Sequence, residues 1–245
     1  MESLPLYVSA NSFGIKRVVF DPGRNVRILL SGATRHGMQS ADPARSTEPL
    51  AYYHRSGPLG DVFAVLSPAE VGIIGLGAGC IAAYSQPGQR FTFYEIDPGV
   101  TEIATDPQYF TFLSRCRGTC NIVAGDGLAS LEKAEDGTFD MLILDAFADE
   151  DIPAHLVSPV ALRLYLHKLA DNGLLVLHIT NVATPLQPEL SRFAAAESWA
   201  CVSRADLEVT ESDRAAGRLA SHYVVITRNQ AVVSALTEHK GWTNG

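Results

Sequence analysis

The sequence predicts an α/β protein built on a doubly wound, mostly parallel sheet, and three observations carry that prediction. Short apolar runs alternate with helical patterns from Glu70 to Leu236, the order expected of a parallel sheet covered on both faces. A glycine-rich turn, Gly75-Leu76-Gly77-Ala78-Gly79, follows the first of these runs. Four successive runs end in glycine or an acid, at Gly75, Glu95, Asp126 and Asp145. Ligands of such sheets bind outside the carboxyl ends of the strands.

Taken in order, the chain opens on hairpin material. Tyr7–Ser9, Ile15–Phe20 and Asn25–Leu30 read as short strands separated by turn sequences at Asn11–Gly14 and Asp21–Arg24. This is too little sheet for a domain of its own, so residues 1–58 are expected to form a small N-terminal β-hairpin cap with a covering loop. Residues 59–245 then form the second, larger domain, which carries the glycine-rich turn and the polar strand ends. The loop, 31–58, is polar and broken by glycine and proline, and it holds His36, Gln39, Arg45, Tyr52, Tyr53 and His54. A helix at Asp61–Leu66 leads to the strand Val71–Ile74. Ala82–Tyr84 suits a helix start, and Phe91–Tyr94 alternates as the next strand. Helical pieces are expected after Pro98 and over Asp106–Leu113. The pattern continues with a strand at Cys120–Ala124, a helix at Leu128–Ala134 and a buried strand at Phe139–Leu144. A helix over Pro159–Leu169 has Leu162, Tyr165, Leu166 and Leu169 on one face. Asp171-Asn172-Gly173 ends it, ahead of a buried strand at Leu174–Ile179 that stops near Thr180-Asn181. A helix at Pro188–Trp199, strands at Cys201–Leu207 and His222–Thr227, a polar arm from Glu211 to Arg218 between them, and a short helix at Val232–Leu236 complete the chain.

Composition narrows the function classes. The chain has 245 residues, 47% of them apolar, enough for a sizeable core, and a net charge of −8. That balance argues against a nucleic-acid footprint and permits a cationic substrate. No apolar run approaches the roughly 18 residues of a membrane-spanning helix, and the first residues lack a basic region followed by an apolar block. A cytoplasmic location is therefore expected. The four cysteines, Cys80, Cys116, Cys120 and Cys201, complete no zinc set. They read as reduced structural thiols, and no metal is expected.

The stretch from Glu70 to Asp97 carries the ligand argument. Gly75, Gly77 and Gly79 allow a sharp turn and close approach of a ligand to the main chain. Glu95 ends the second strand, twenty residues after Gly75, where a carboxylate can accept from both ribose hydroxyls of a nucleoside. The third glycine position of the dinucleotide pattern is Cys80. The resulting G-x-G-x-G suits an S-adenosylmethionine-type ligand, which has no pyrophosphate to cradle.

Over Ile28 to Arg228 the sequence resembles the spermidine synthase family of aminopropyltransferases, closest to bacterial members whose synthase-like domain often sits behind a transporter-like membrane half. The stretches that carry this are HGMQSADPARSTEPLAYYHRSGPLG, GLGAGC, FTFYEIDP, DPQYFTFL, GDG, FDMLILDAFADEDIP and GLLVLHITN. The resemblance implies a Rossmann-like class I S-adenosylmethionine-dependent transferase fold, decarboxylated S-adenosylmethionine or S-adenosylmethionine as co-substrate, a small-molecule amine as acceptor, and a homodimer. Gln39 would lie against the methionine-derived part of the donor. Tyr53 and His54 would close over the reacting centre, Glu95 would hold the ribose, and Asp126 with Gly127 would meet the adenine edge. Asp145 would take the proton from the attacking amine. Chemistry supports that role independently, because a protonated amine cannot attack and a carboxylate at a strand end can deprotonate it. The acidic run Asp149-Glu150-Asp151 could hold a distal ammonium.

Two positions depart from the family pattern. Many spermidine synthases carry an acid inside the glycine loop that grips the aminopropyl amine, and here that place is Ala78. The acid-rich stretch after Asp145 reads Asp145-Ala146-Phe147-Ala148-Asp149, with its second carboxylate displaced by one position. Both fall on amine-binding groups. Three functions therefore stay open: aminopropyl transfer, methyl or aminocarboxypropyl transfer (or cyclisation) from the same nucleoside, and a non-catalytic nucleoside-binding module.

Overall fold

The computed structural model describes residues 3–147, 151–180 and 185–245. It contains two sheets. The first is an antiparallel meander of β1 (Leu4–Asn11), β2 (Gly14–Asp21), β3 (Val26–Ser31) and β4 (Thr34–Ser40). The cap is thus one strand larger than expected, because β4 lies within the stretch read as loop. Its sequence, TRHGMQS, is polar and carries a central glycine, which hid the strand. It pairs with β3 in the register Val26↔Ser40 and Ile28↔Met38, and residues 37–40 are all buried.

The second sheet holds eight strands: β5 (Glu70–Ile74), β6 (Arg90–Glu95), β7 (Thr119–Ala124), β8 (Phe139–Leu144), β9 (Leu169–His178), β10 (Ala200–Asp206), β11 (Ser221–Thr227) and β12 (Trp242–Asn244). Their order is β12-β10-β11-β9-β8-β5-β6-β7. The ladders from β9 to β7 are parallel, whereas β11, β10 and β12 are antiparallel to their neighbours. The central strands are buried on both sides, so they read as continuous apolar runs. On one face Ile73, Phe93, Met141, Ile143 and Val176 meet α1 (Pro58–Val65), α2 (Pro98–Thr105) and, near its C-terminal end, the chain's last helix. On the other, Ile74, Leu142, Leu144 and Leu177 pack beneath three further helices.

Those other helices are α3 (Gly127–Glu132), α4 (Pro159–Lys168) and α5 (Gln187–Ala196). The polar arm contains α6 (Glu211–Ala216), whose Thr210 and Asp213 form a capping box, and the chain closes through α7 (Gln230–Glu238). Three expectations of local structure fail. Ala82–Tyr84 belongs to a 3₁₀ turn, Cys80–Tyr84, that Ser85 ends in an extended conformation. Asp106–Leu113 is a series of turns: Asp106 precedes a proline, which disfavours helical backbone, and its side chain accepts from the Gln108 N–H at 2.8 Å. The strand expected from Leu174 starts at Leu169, which pairs with Phe139 ahead of a register shift between Phe139 and Met141 on β8.

The expectation of four reduced thiols also fails. Cys116 and Cys120 form a disulfide, their Cα atoms 6.3 Å apart across the turn into β7, while Cys80 and Cys201 are free and buried. No helix among the described residues is long and apolar enough to cross a membrane.

Candidate active site

The carboxyl ends of four adjacent strands are tied to one another by main-chain hydrogen bonds that continue the sheet ladder. The Asp145 N–H donates to Ile74 O at 2.9 Å, Gly75 N–H to Tyr94 O at 2.9 Å, and Gly125 N–H to Glu95 O at 2.8 Å. Gly75, Glu95, Asp126 and Asp145 therefore stand side by side, as the run of strand ends predicts. Above them opens a cavity of about 940 Å³ that these four residues line together with Tyr53. Gly77 and Gly127 complete its floor.

The glycines answer first to neighbouring backbone. A Cβ on Gly75 (φ +100°) would sit 2.3 Å from the Asp145 carbonyl oxygen, and one on Gly77 (φ +54°) would sit 2.3 Å from the His36 carbonyl oxygen. The turn can pass between β8 and β4 only without side chains. β4 clamps the loop from above, with the Ala78 N–H donating to His36 O at 3.1 Å.

Glu95 is buried, and each carboxylate oxygen accepts one main-chain N–H: Oε2 from Leu76 at 3.0 Å and Oε1 from Asp97 at 2.8 Å. Each oxygen keeps a second lone pair. Burial raises the Glu95 carboxyl above its ordinary value, and the two N–H bonds only partly oppose this. Beside it, Asp97 is buried against Lys16 of β2 at 2.5 Å and accepts from Asn11 of β1 at 2.6 Å. Burial works to raise the Asp97 carboxyl, but Lys16, Asn11 and the Gly99 N–H together hold it below the ordinary value. This contact fastens the first sheet to the second. Asp126 caps α3, its Oδ1 accepting from the Ala129 N–H at 2.8 Å.

Asp145 has both oxygens engaged. Tyr53 Oη donates to Oδ2 at 2.8 Å, and His178 Nδ1 lies 2.7 Å from Oδ1. Burial, reinforced by the Asp145 charge, pushes the Tyr53 hydroxyl far above its ordinary value, so Tyr53 serves as a donor and not as a base. Tyr53 is itself held by the Tyr84 hydroxyl, which donates to its carbonyl at 2.6 Å.

Three expected site residues are not on the cavity wall. Gln39 is fully buried behind it, its amide donating to Ser46 O and Thr111 Oγ1 and accepting from the Thr111 N–H. His54 bonds Ser56 at 2.8 Å, and burial with Arg218 nearby lowers its pKa. Gly79 sits at the head of the 3₁₀ turn in a left-handed conformation, φ +80°. Ala78 is buried, and its methyl faces Gly37 of β4: a Cβ on Gly37 would lie 2.4 Å from it. Asp149, Glu150 and Asn181 lie outside the described residues. Sequence reasoning gave no role to His178 or Arg35, both of which line the cavity. His178 ends β9 beside Asp145, so the strand-end rule that found Asp145 finds it as well. Among the described residues no group of three His, Cys, Asp or Glu side chains is placed to hold a metal ion.

Comparison with known structures places this architecture. The chain superposes on a probable spermidine synthase from Corynebacterium glutamicum with a TM-score of 0.68, covering 95% of this chain and 85% of that one at 15% identity. The fold is that of the spermidine synthases. The Thermotoga maritima spermidine synthase matches at a TM-score of 0.61 and 15% identity, over 95% of this chain and 75% of that one. A spermidine synthase in complex with the transition-state analogue AdoDATO does so at 0.61 and 14%, with the same coverage. In sequence, the chain is 32% identical to a polyamine aminopropyltransferase of Vibrio vulnificus over 114 residues, 44% of this chain and 37% of that relative. The match thus spans a little over a third of the relative's length. No family model matches the chain. Glu95 and Asp145 stand at the strand ends that bound the cavity.

Proposed function

We propose that the chain transfers the aminopropyl group of decarboxylated S-adenosylmethionine to a di- or polyamine and releases methylthioadenosine. The observation that carries this reading is a buried carboxylate, Asp145, held by Tyr53 on the wall of a cavity whose floor also bears Glu95. Glu95 would accept from the ribose hydroxyls through its remaining lone pairs, and Asp126 with Gly127 would meet the adenine edge. The amine would then approach Asp145. In the reaction its ammonium gives a proton to the Asp145 carboxylate. The freed lone pair forms a bond to the methylene beside the sulfonium, and the C–S bond breaks with its electron pair left on sulfur. A secondary ammonium, which carries the charge that was on the sulfonium, and neutral methylthioadenosine result. Removal of the proton by a fixed carboxylate contributes typically a hundredfold or more, and alignment of the amine with the methylene adds to it. Gln39 contributes from behind the wall, tying Ser46 to Thr111. Tyr53 orients the base, and we assign His54 a part in closure over the site. The protein is expected to work in the cytoplasm as a homodimer, without nucleic acid or metal.

One observation favours a second reading. Ala78 brings no carboxylate to the cavity, so nothing on the glycine loop grips an aminopropyl ammonium. Methyl or aminocarboxypropyl transfer from S-adenosylmethionine would need no such grip. Incubation with each sulfonium donor and a panel of amines, read by mass spectrometry, separates the two. Methylthioadenosine formed one-for-one with an amine lengthened by an aminopropyl unit supports aminopropyl transfer. S-adenosylhomocysteine from S-adenosylmethionine would replace it with methyl transfer, and release of neither nucleoside would leave a binding module.

A further inference from the structure

His178 is the last residue of β9, which is otherwise apolar from Leu174 to Leu177. Its imidazole is buried and boxed by aromatic rings. Tyr223 stacks on it, centroids 4.5 Å apart with 6° between planes, and Phe147 stands edge-on at 5.1 Å. Tyr52 and Tyr53 close the remaining sides at 5.2 and 6.1 Å. Such a ring cannot turn without displacing a neighbour. Its Nδ1 lies 2.7 Å from Asp145 Oδ1, while its Nε2 is buried with no hydrogen-bond partner among the described residues. These two facts choose the tautomer. A proton on Nε2 would leave a buried N–H unsatisfied and a bare Nδ1 facing a carboxylate oxygen. A proton on Nδ1 satisfies the carboxylate and leaves only an unfilled acceptor, the cheaper omission.

We propose that His178 is the positioning residue of the transfer: in its Nδ1–H form it clamps Asp145 from the side opposite Tyr53, fixing the carboxylate plane so that its free lone pairs face the incoming amine. The two donors come from different parts of the fold, Tyr53 from the segment after the first sheet and His178 from the second sheet. Asp145 is therefore in register only when both are docked. The inference rests on the aminopropyl-transfer reading for its kinetic consequences, but not for the tautomer.

The test uses two variants and two kinds of measurement. His178→Phe keeps a ring in the aromatic box and removes the donor, whereas His178→Asn offers an amide N–H near the place of Nδ1. With wild type as reference, His178→Phe is expected to lower kcat by about tenfold to a hundredfold. Methylthioadenosine affinity, measured by calorimetry, should stay within about twofold, since Glu95 and Asp126 are untouched. His178→Asn should recover most of kcat. Wild-type kcat in His178→Phe would overturn the proposal. So would equal losses in both variants accompanied by lost nucleoside affinity, which mark a merely structural role. Nitrogen-15 NMR of labelled histidine reads the clamp without turnover. A protonated Nδ1 and bare Nε2 at His178 in wild type, changed in Asp145→Ala, support it, and the Nε2–H tautomer overturns it. If the Nδ1–H form is found but no donor and amine react, the clamp is supported and the reaction proposed above is the part that falls.

Discussion

Replacing Glu95 by glutamine tests the nucleoside half of the site, and the structure shows what the change does. The native carboxylate accepts the Leu76 N–H on one oxygen and the Asp97 N–H on the other. A glutamine amide can accept only one of these, and its NH₂ would face the second N–H. In the free protein this loses one buried hydrogen bond but also removes a buried charge whose desolvation raises the Glu95 pKa. The two effects oppose each other, so thermal stability should change little. In the complex nothing compensates, because the ribose hydroxyls lose a charged acceptor. A hydrogen bond to a charged group contributes roughly 1.5–3 kcal/mol, or about tenfold to a hundredfold in affinity. Calorimetry with methylthioadenosine measures this, with a melting curve as control. The same carboxylate gives a pH signature. Its pKa in the folded protein lies above its ordinary value, so affinity should fall as pH is lowered through a midpoint above 4.5. Unchanged affinity in Glu95→Gln, in a protein that melts normally, would refute the ribose assignment.

Two further outcomes concern the join between the sheets. Lys16→Met leaves Asp97 buried without its cation, a change that costs about 3–5 kcal/mol and, for a chain of this size, lowers the melting temperature by about 10 °C. A loss below about 1 kcal/mol would show that the pair does not fasten the first sheet. Because Asp97 is held below its unfolded value of 3.8, the stabilisation it gives is full above that value and fades as pH falls through the depressed one. Gly37→Ala would drive a methyl against Ala78 and should cost about 1–3 kcal/mol while weakening nucleoside binding through the glycine loop. Gly14→Ala, which also has a positive φ but meets no atom within 4 Å, should leave binding intact. Equal binding in both would remove β4 from the support of the loop.

What the sequence revealed and what it hid have physical causes. The central strands are legible because burial on both faces demands unbroken apolar runs, and their ends are legible because polar residues interrupt those runs at one edge. Glu95 and Asp145 follow from that alone. β4 is hidden because its burial comes from tertiary cover by the glycine loop, which its polar composition does not announce. Asp106–Leu113 has helical spacing, but Pro107 and the Asp106 side chain favour turns, and Phe110 and Phe112 are anchored in the core. Gln39 can be read as a ligand residue in isolation; its actual partners, Ser46 and Thr111, are set by how distant segments meet. The Cys116–Cys120 bridge depends on a turn that spacing does not specify. His178 was legible in principle, as the polar end of an apolar strand, but nothing in one dimension shows that β9 lies next to β8.

The central claim is that the Asp145 carboxylate takes the proton of the attacking amine, and the most direct test is the rate of methylthioadenosine release against pH for wild type and Asp145→Asn. Asparagine keeps the shape and the acceptor oxygen and loses the basicity. At neutral pH the variant should turn over roughly a hundredfold or more slowly, with methylthioadenosine affinity little changed. The gap should narrow as pH approaches the acceptor amine's own pKa, where free amine is supplied by solvent. A variant that releases methylthioadenosine at the wild-type rate at neutral pH would contradict the claim and leave a nucleoside-binding fold without a base.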